Sequence, residues 1–185
     1  MNNLLNTIIQ KASWKKAIIF TLLFVVFLAV INYSAIGVAG LLRITGGANI
    51  LDFEFGYTHE EATNMLTALG AEERAFYLTR IVPLDYPFPF TYMLFYAGFI
   101  SLLIKHTKQK EQLGYLLFVP VLAMLCDWME NIGIIAMLNS YPNVPEWSVS
   151  LASIMGMLKT IFTIGSLAII VGLLILFAYV RLRRK

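Results

Sequence analysis

The chain has 185 residues, 59% of them apolar and only 14% charged, against about 25% charged in ordinary soluble domains. A formal charge of +3 does not signal nucleic-acid binding, because Lys and Arg gather at the edges of apolar runs, where they set membrane topology. The lone cysteine, Cys126, lies within an apolar run, so no intrachain disulfide can form.

In chain order, Leu4, Leu5, Ile8, Ile9 and Ala12 recur at helical spacing with Asn6, Gln10 and Lys11 opposite, which predicts an amphipathic interfacial helix over residues 1–16. A first span follows over 17–42. Lys15, Lys16 and the apolar stretch behind them also fit a signal peptide, but apolar character continues to Leu42, beyond a typical 7–15-residue signal core.

Residues 43–87 form a long connection. Thr58 and Glu61 have the spacing of a capping box, and Ala62, Met65, Leu66 and Leu69 line one face of the predicted helix until Gly70. A second short helix is expected from Glu72 towards Arg80, ending near Pro83. Before both, Phe53, Phe55 and Tyr57 alternate with Asp52, Glu54 and Gly56, a pattern for an extended segment with one aromatic face. The apolar helix face needs something to cover, either the mouth of the bundle or the outer leaflet surface, and a lid or structural cap over the bundle is the expectation.

Three further spans are drawn over 88–104, 113–138 and 148–180. Pro87 and Pro89 open the second, where first-turn donors are unpaired anyway, and Pro120 is expected to bend the third. The fold class is therefore an all-α integral membrane protein. Four transmembrane helices form a single domain over 17–185, with a long external helical connection between the first two.

Charge orients it. Lys11, Lys15 and Lys16, then Lys105, Lys108 and Lys110, then Arg181, Arg183, Arg184 and Lys185 fall on one side, while 43–87 carries seven acids against three arginines. The positive-inside rule puts both termini in the cytoplasm, with 43–87 and 139–147 external.

The run from Leu113 to Leu138 contains Asp127 and Glu130, with Asn131 beside them. A charge at the centre of a membrane helix costs about 2.5–3.5 kcal/mol on insertion scales, so such acids usually serve function. Counting ~1.5 Å per residue from Leu113 puts Asp127 and Glu130 at ~21 and ~26 Å, in the outer half of the core. The same count brings Asn32, Tyr33, Ser34, Thr91 and Tyr92 to similar heights, with Asp85 near the top and Lys159 at ~28 Å. A polar chamber opening outward above an apolar floor is the expectation. Lys159 and Glu130 can pair, leaving Asp127 as the less compensated acid and a candidate proton donor or acceptor. Asn131 can orient a carboxylate, and Tyr33, Tyr92 and Tyr96 can supply hydroxyls.

Other chemistries are disfavoured. His59 and His106 are expected outside the core, which argues against bundle haem. One cysteine gives no redox dithiol, no glycine-rich phosphate loop is present, two acids on one helix are too few for a metal site, and no serine has a plausible His partner. No cofactor is expected.

Four spans, an external segment after the first, the aromatic-proline opening Pro87-Phe88-Pro89-Phe90 and acids in the third together resemble the EXPERA group of sterol-isomerase and sigma-2-receptor-like proteins. The resemblance implies a cavity faced by intramembrane acids; no activity or residue role is carried over from it. The functional expectation is an outward-facing chamber that binds or transforms a lipidic or other apolar small molecule through Asp127 and Glu130. The bilayer and that molecule are then the partners, and the sequence does not specify an oligomeric state. Two alternatives stand beside it: a proton-coupled carrier, and an accessory or assembly subunit in which the acids form a structural clamp.

Overall fold

The computed structural model describes residues 2–46, 50–107 and 110–182, and no strand occurs among them. Lys108, Arg183, Arg184 and Lys185, which carry part of the orientation argument, lie outside the described residues, as does Gly47. Four helical runs are long and apolar enough to cross a membrane: Trp14–Thr45, Ala71–Lys105, Gly114–Ser140 and Glu146–Tyr179. The first and last are mostly exposed, and the middle two are about half buried.

Helix α1 (Asn2–Gln10) is amphipathic and buries Leu5 and Ile9 while leaving Leu4 and Ile8 exposed. Helix α2 (Trp14–Tyr33) is capped by the Ser13 hydroxyl, which accepts from the Lys16 N–H. The first span is expected to be one helix to residue 42, but α2 stops at Tyr33. The chain turns through 34–37 and restarts as α3 (Val38–Thr45). Gly37 makes that turn possible: a Cβ there would sit 2.1 Å from the Ile31 carbonyl oxygen.

The aromatic segment is not a regular extended strand. Leu51–Phe53 is a tight helical turn that buries Leu51, because Ile50 and Leu51 gain more by entering the core than an alternating strand would give them. The capping box does form. Helix α4 (His59–Ala68) begins with Thr58 Oγ1 accepting from the Glu61 N–H while the Glu61 carboxylate accepts from the Thr58 N–H at 2.7 Å. Its apolar face, Ala62 and Leu66, continues to Leu69 and packs on Ile134, Met137, Val149 and Ala152.

Beyond Gly70, α5 (Ala71–Phe76) runs through a wide π turn, Tyr77–Ile81, into α6 (Val82–Asp85) and then α7 (Phe88–Lys105). Pro83 therefore does not end the helix, contrary to the expectation. The wide turn sends the Val82 N–H to the Tyr77 carbonyl, five residues back, and Pro83 falls in the first turn of α6, where its missing donor costs little. This carries Asp85 into the buried interior on a helix.

The third run comprises α8 (Lys110–Leu113), a tight 3₁₀ turn at Gly114–Leu117 and α9 (Phe118–Ser140). Pro120 sits in the first turn of α9 rather than in mid-helix, so it starts the long helix instead of bending it. Helix α10 (Glu146–Leu182) completes the chain. It packs most extensively on α9, whereas α2 packs mainly on α7 through Phe24, stacked 5.0 Å from Phe95 and 5.9 Å from Phe88.

Two cores result. One joins α4 and the segment 50–82 to the ends of α9 and α10, and the other joins α1, α7, the start of α9 and the far half of α10. Accepting hydrogen bonds from Thr58 holds the exposed Glu61 carboxyl below its ordinary value. A group whose pKa is lowered on folding stabilises above its unfolded value, and that contribution is lost as pH falls through the folded value. Amide-exchange protection over residues 59–62, corrected for intrinsic rates, is expected to drop several-fold on acidification through the carboxylate range and to be pH-independent there in Glu61→Gln.

Candidate functional site

Asp127, Glu130 and Asn131 lie one turn apart on α9, all buried, on the face turned to the other helices. Lys159 comes from the first half of α10. Its ammonium stands 2.5 Å from Glu130 Oε2 and 3.8 Å from Asp127 Oδ1. The pairing of Lys159 with Glu130 expected from helical rise is present, and Asp127 is the more distant acid. Gly156, three residues before Lys159, makes room: a Cβ there would lie 2.6 Å from Glu130 Oε1.

Two further helices reach the cluster. Tyr92 of α7 donates its hydroxyl to Asp127 Oδ2 at 3.0 Å. Asn131 donates through Nδ2 to Asp85 Oδ2 of α6 at 2.8 Å and to Asp127 Oδ1 at 3.3 Å, so one amide bridges two carboxylates. Trp128 anchors the same turn from outside, its indole N–H donating to the Tyr86 carbonyl at 2.9 Å.

Above the cluster is a cavity of about 370 Å³. Asp52, Asp85, Tyr92, Asp127 and Lys159 form its polar end, and Phe24, Leu28 and Ile31 of α2 with Ile164 of α10 form its apolar walls. Glu130 and Asn131 stand behind that surface rather than on it. Since α2 packs on α7 rather than against α10, the cavity lies in the gap between the first and last long helices. Towards α1 the space is filled by Ile100, Ile104, Leu117 and Ala123.

Among the other sequence candidates, Asn32 lines the cavity and spends its Nδ2 on the Leu28 carbonyl at 2.9 Å. Tyr33 does not join the cluster: it is 80% exposed, because α2 ends there and turns its last residue outward. Thr91 is buried but off the cavity wall, its hydroxyl donating to the Phe88 carbonyl of its own helix.

Asp52 is the acid that sequence reasoning missed. It lines the cavity, accepts from the Tyr77 hydroxyl at Oδ2, and has no hydrogen-bond partner for its buried Oδ1 among the described residues. Its signal was an acid flanked by Ile50, Leu51 and Phe53, an apolar context that resembled an amphipathic strand. Tyr57 is close by. Its hydroxyl is buried without a partner, and burial, reinforced by the charges of Glu130 and Asp52, pushes its phenol above the ordinary value, so it stays neutral. The Tyr57 N–H donates to Ser153 Oγ at 2.9 Å, and His59 Nε2 lies 2.9 Å from the Val144 carbonyl oxygen, fixing the connection onto α10.

The described residues contain no group of three or more His, Cys, Asp or Glu arranged to hold a metal. Comparison with protein-family models, curated proteins and solved structures finds no match for this chain, so the site's chemistry rests on its geometry.

The arrangement is a tight α9–α10 ion-pair network bordering a cavity that α2 leaves open. Removing Lys159 would strand buried carboxylates, a change that typically costs roughly 3–5 kcal/mol. Lys159→Gln is therefore expected to lower stability by that order in a reversible-unfolding assay in detergent. The double variant Lys159→Met with Glu130→Met is expected to recover part of the loss, because Glu130 is removed with its partner while Asp127 stays buried without the ammonium.

Proposed function

We propose that this chain is a multi-pass membrane protein whose intramembrane cavity binds, or acts on, a lipidic small molecule, with Asp127 as the group that meets it. The observation that carries this reading is the cavity itself: carboxylates and an ammonium at one end, Phe, Leu and Ile along the walls, and a gap between α2 and α10. Its volume of about 370 Å³ falls in the usual range of small-molecule sites, roughly 300–1,000 Å³. An amphiphile with a hydrogen-bonding head and an apolar body matches both ends.

Insertion is supported by the exposed apolar surface. Ile18, Ile19, Leu22, Val25 and Val26 on α2, and Ile161, Ile164, Leu167 and Val171 on α10, face outward, an extent of apolar surface that water disfavours and acyl chains accept. In the proposed topology both termini are cytoplasmic and 43–87 is external, by the distribution of Lys and Arg.

The roles divide by position. Asp127 lines the cavity and already accepts from Tyr92 and Asn131, so its carboxylate is oriented for an incoming donor, as counter-ion or as acid/base. Glu130 stands behind Lys159 and holds the ammonium in place, which makes it a positioning residue. The floor of Ile100, Ile104 and Leu117 supports a one-sided site over a through-going carrier path.

Topology is tested in a Cys126→Ser background with single cysteines at residues 11 and 60: membrane-impermeant maleimide applied to intact cells is expected to label residue 60 alone, and labelling of residue 11 alone would reverse the orientation. The site is tested by lipid mass spectrometry of the purified protein. A hydrogen bond to a charged group is worth about tenfold or more in affinity, so Asp127→Asn is expected to lower a co-purifying small molecule by at least that factor in protein that remains folded. Thr163→Phe, which narrows the cavity, is expected to do the same. Equal retention by parent and both variants would sink the proposal.

A further inference from the structure

A second concavity lies at the opposite end of the bundle and shares no residue with the first. Helix α1 folds back on α7 and the 3₁₀ turn before α9, which leaves a groove of about 480 Å³ between them and the start of α2. Its walls are apolar: Leu4 and Ile8 from α1, Phe20 from α2, Met93 and Ala97 from α7, and Phe118 from α9. Its rim is cationic. Lys11 and Lys16 border it, and no carboxylate among the described residues does.

Lys16 and the turn that carries both lysines are held in place. Lys16 Nζ donates to the Lys11 carbonyl at 2.9 Å, fixing the turn between α1 and α2, and Lys105 Nζ donates to the Ala12 carbonyl at 2.8 Å, tying that turn to the end of α7. An ammonium has three donors, so Lys16 keeps two after this bond. Neither Lys11 nor Lys16 has a carboxylate within salt-bridge distance among the described residues. Between them and the apolar wall, the Ser101 hydroxyl lines the groove and is buried without a hydrogen-bond partner there.

We propose that this groove holds one anionic glycerophospholipid of the leaflet on the N-terminal side, its phosphate at Lys11 and Lys16 and an acyl chain along the wall from Ser101 to Met93. Three observations point to this occupant. Two cations, with no acidic neighbour among the described residues that line the groove, select an anion. From Ser101 to Met93 is eight residues of α7, about 12 Å of rise, close to the hydrocarbon depth of one leaflet, about half of a 30 Å core. The wall is almost wholly apolar, so a free phosphate would satisfy the rim and leave the groove empty, whereas a lipid fills both. The site requires the multi-pass reading but not the cavity reading, and it makes α1 a clasp whose unpaired apolar face is completed by lipid.

The experiment is native mass spectrometry of the full-length protein in a neutral detergent, titrated separately with phosphatidylglycerol, with phosphatidylcholine of identical chains, and with inorganic phosphate. One phosphatidylglycerol is expected to be retained at least tenfold more strongly than phosphatidylcholine. Lys11→Gln with Lys16→Gln is expected to erase that preference at unchanged melting temperature. Lys15→Gln, whose side chain is off the groove, is expected to keep it, and so is Asp127→Asn, which separates this site from the cavity. Equal retention of the two lipids, an equal effect of Lys15→Gln, or displacement of the lipid by equimolar inorganic phosphate would overturn the proposal.

Discussion

One ammonium in the first half of α10 holds the most expensive part of this molecule together. Lys159 is in salt-bridge range of Glu130 and Asp127, and it shares a cavity wall with Asp52 and Asp85. Each of these acids would be costly in an apolar bundle if left alone. Around Lys159, Asn131 bridges Asp85 and Asp127, Tyr92 also donates to Asp127, Tyr77 donates to Asp52, and Glu130 takes the ammonium itself. The need to bring residues from five parts of the chain to one cation explains much of the fold. The long connection must bring Asp52 inward, the π turn must carry Asp85 past Pro83, and α9 and α10 must approach closely enough at Gly156 for a glutamate to fit between them.

That concentration of packing leaves α2 at the periphery. Helices α9 and α10 pack most extensively on each other, while α2, mostly exposed, is held to α7 by aromatic stacking and borders the cavity opposite α10. The cavity follows from this asymmetry. Its polar end is assembled from the turn at 51–53, α6, α7, α9 and α10, and its apolar wall comes largely from α2. A polar end facing an apolar wall suits the proposed lipidic ligand.

Much of this was legible in the residues. Four runs long and apolar enough to cross a membrane follow from composition and length, and Thr58 with Glu61 announces α4 because a capping box is a local interaction. Asp127, Glu130 and Lys159 could be brought to one level by counting rise, since a helix converts sequence distance into height with little error. What escaped was non-local. Nothing near Asp52 says that the connection dips into the bundle, and Tyr33 matched its neighbours in height while its direction depended on where α2 ends. In the sequence Pro83 and Pro120 resemble a break and a bend, but whether a proline interrupts a helix depends on the hydrogen bonds around it, which a wide turn or a helix start can rearrange.

The central claim is that buried carboxylates converge on Lys159 in the bilayer, and its most direct test is a distance. With ¹⁵N at Lys159 Nζ and ¹³C at the side-chain carboxyl carbons, dipolar recoupling on protein in lipid bilayers should give a strong Lys159–Glu130 coupling, matching the 2.5 Å contact, and a weaker one to Asp127 at 3.8 Å. A Lys159 nitrogen that couples to neither carboxylate and exchanges freely with water would contradict the ion-pair centre and, with it, the cavity chemistry built on it.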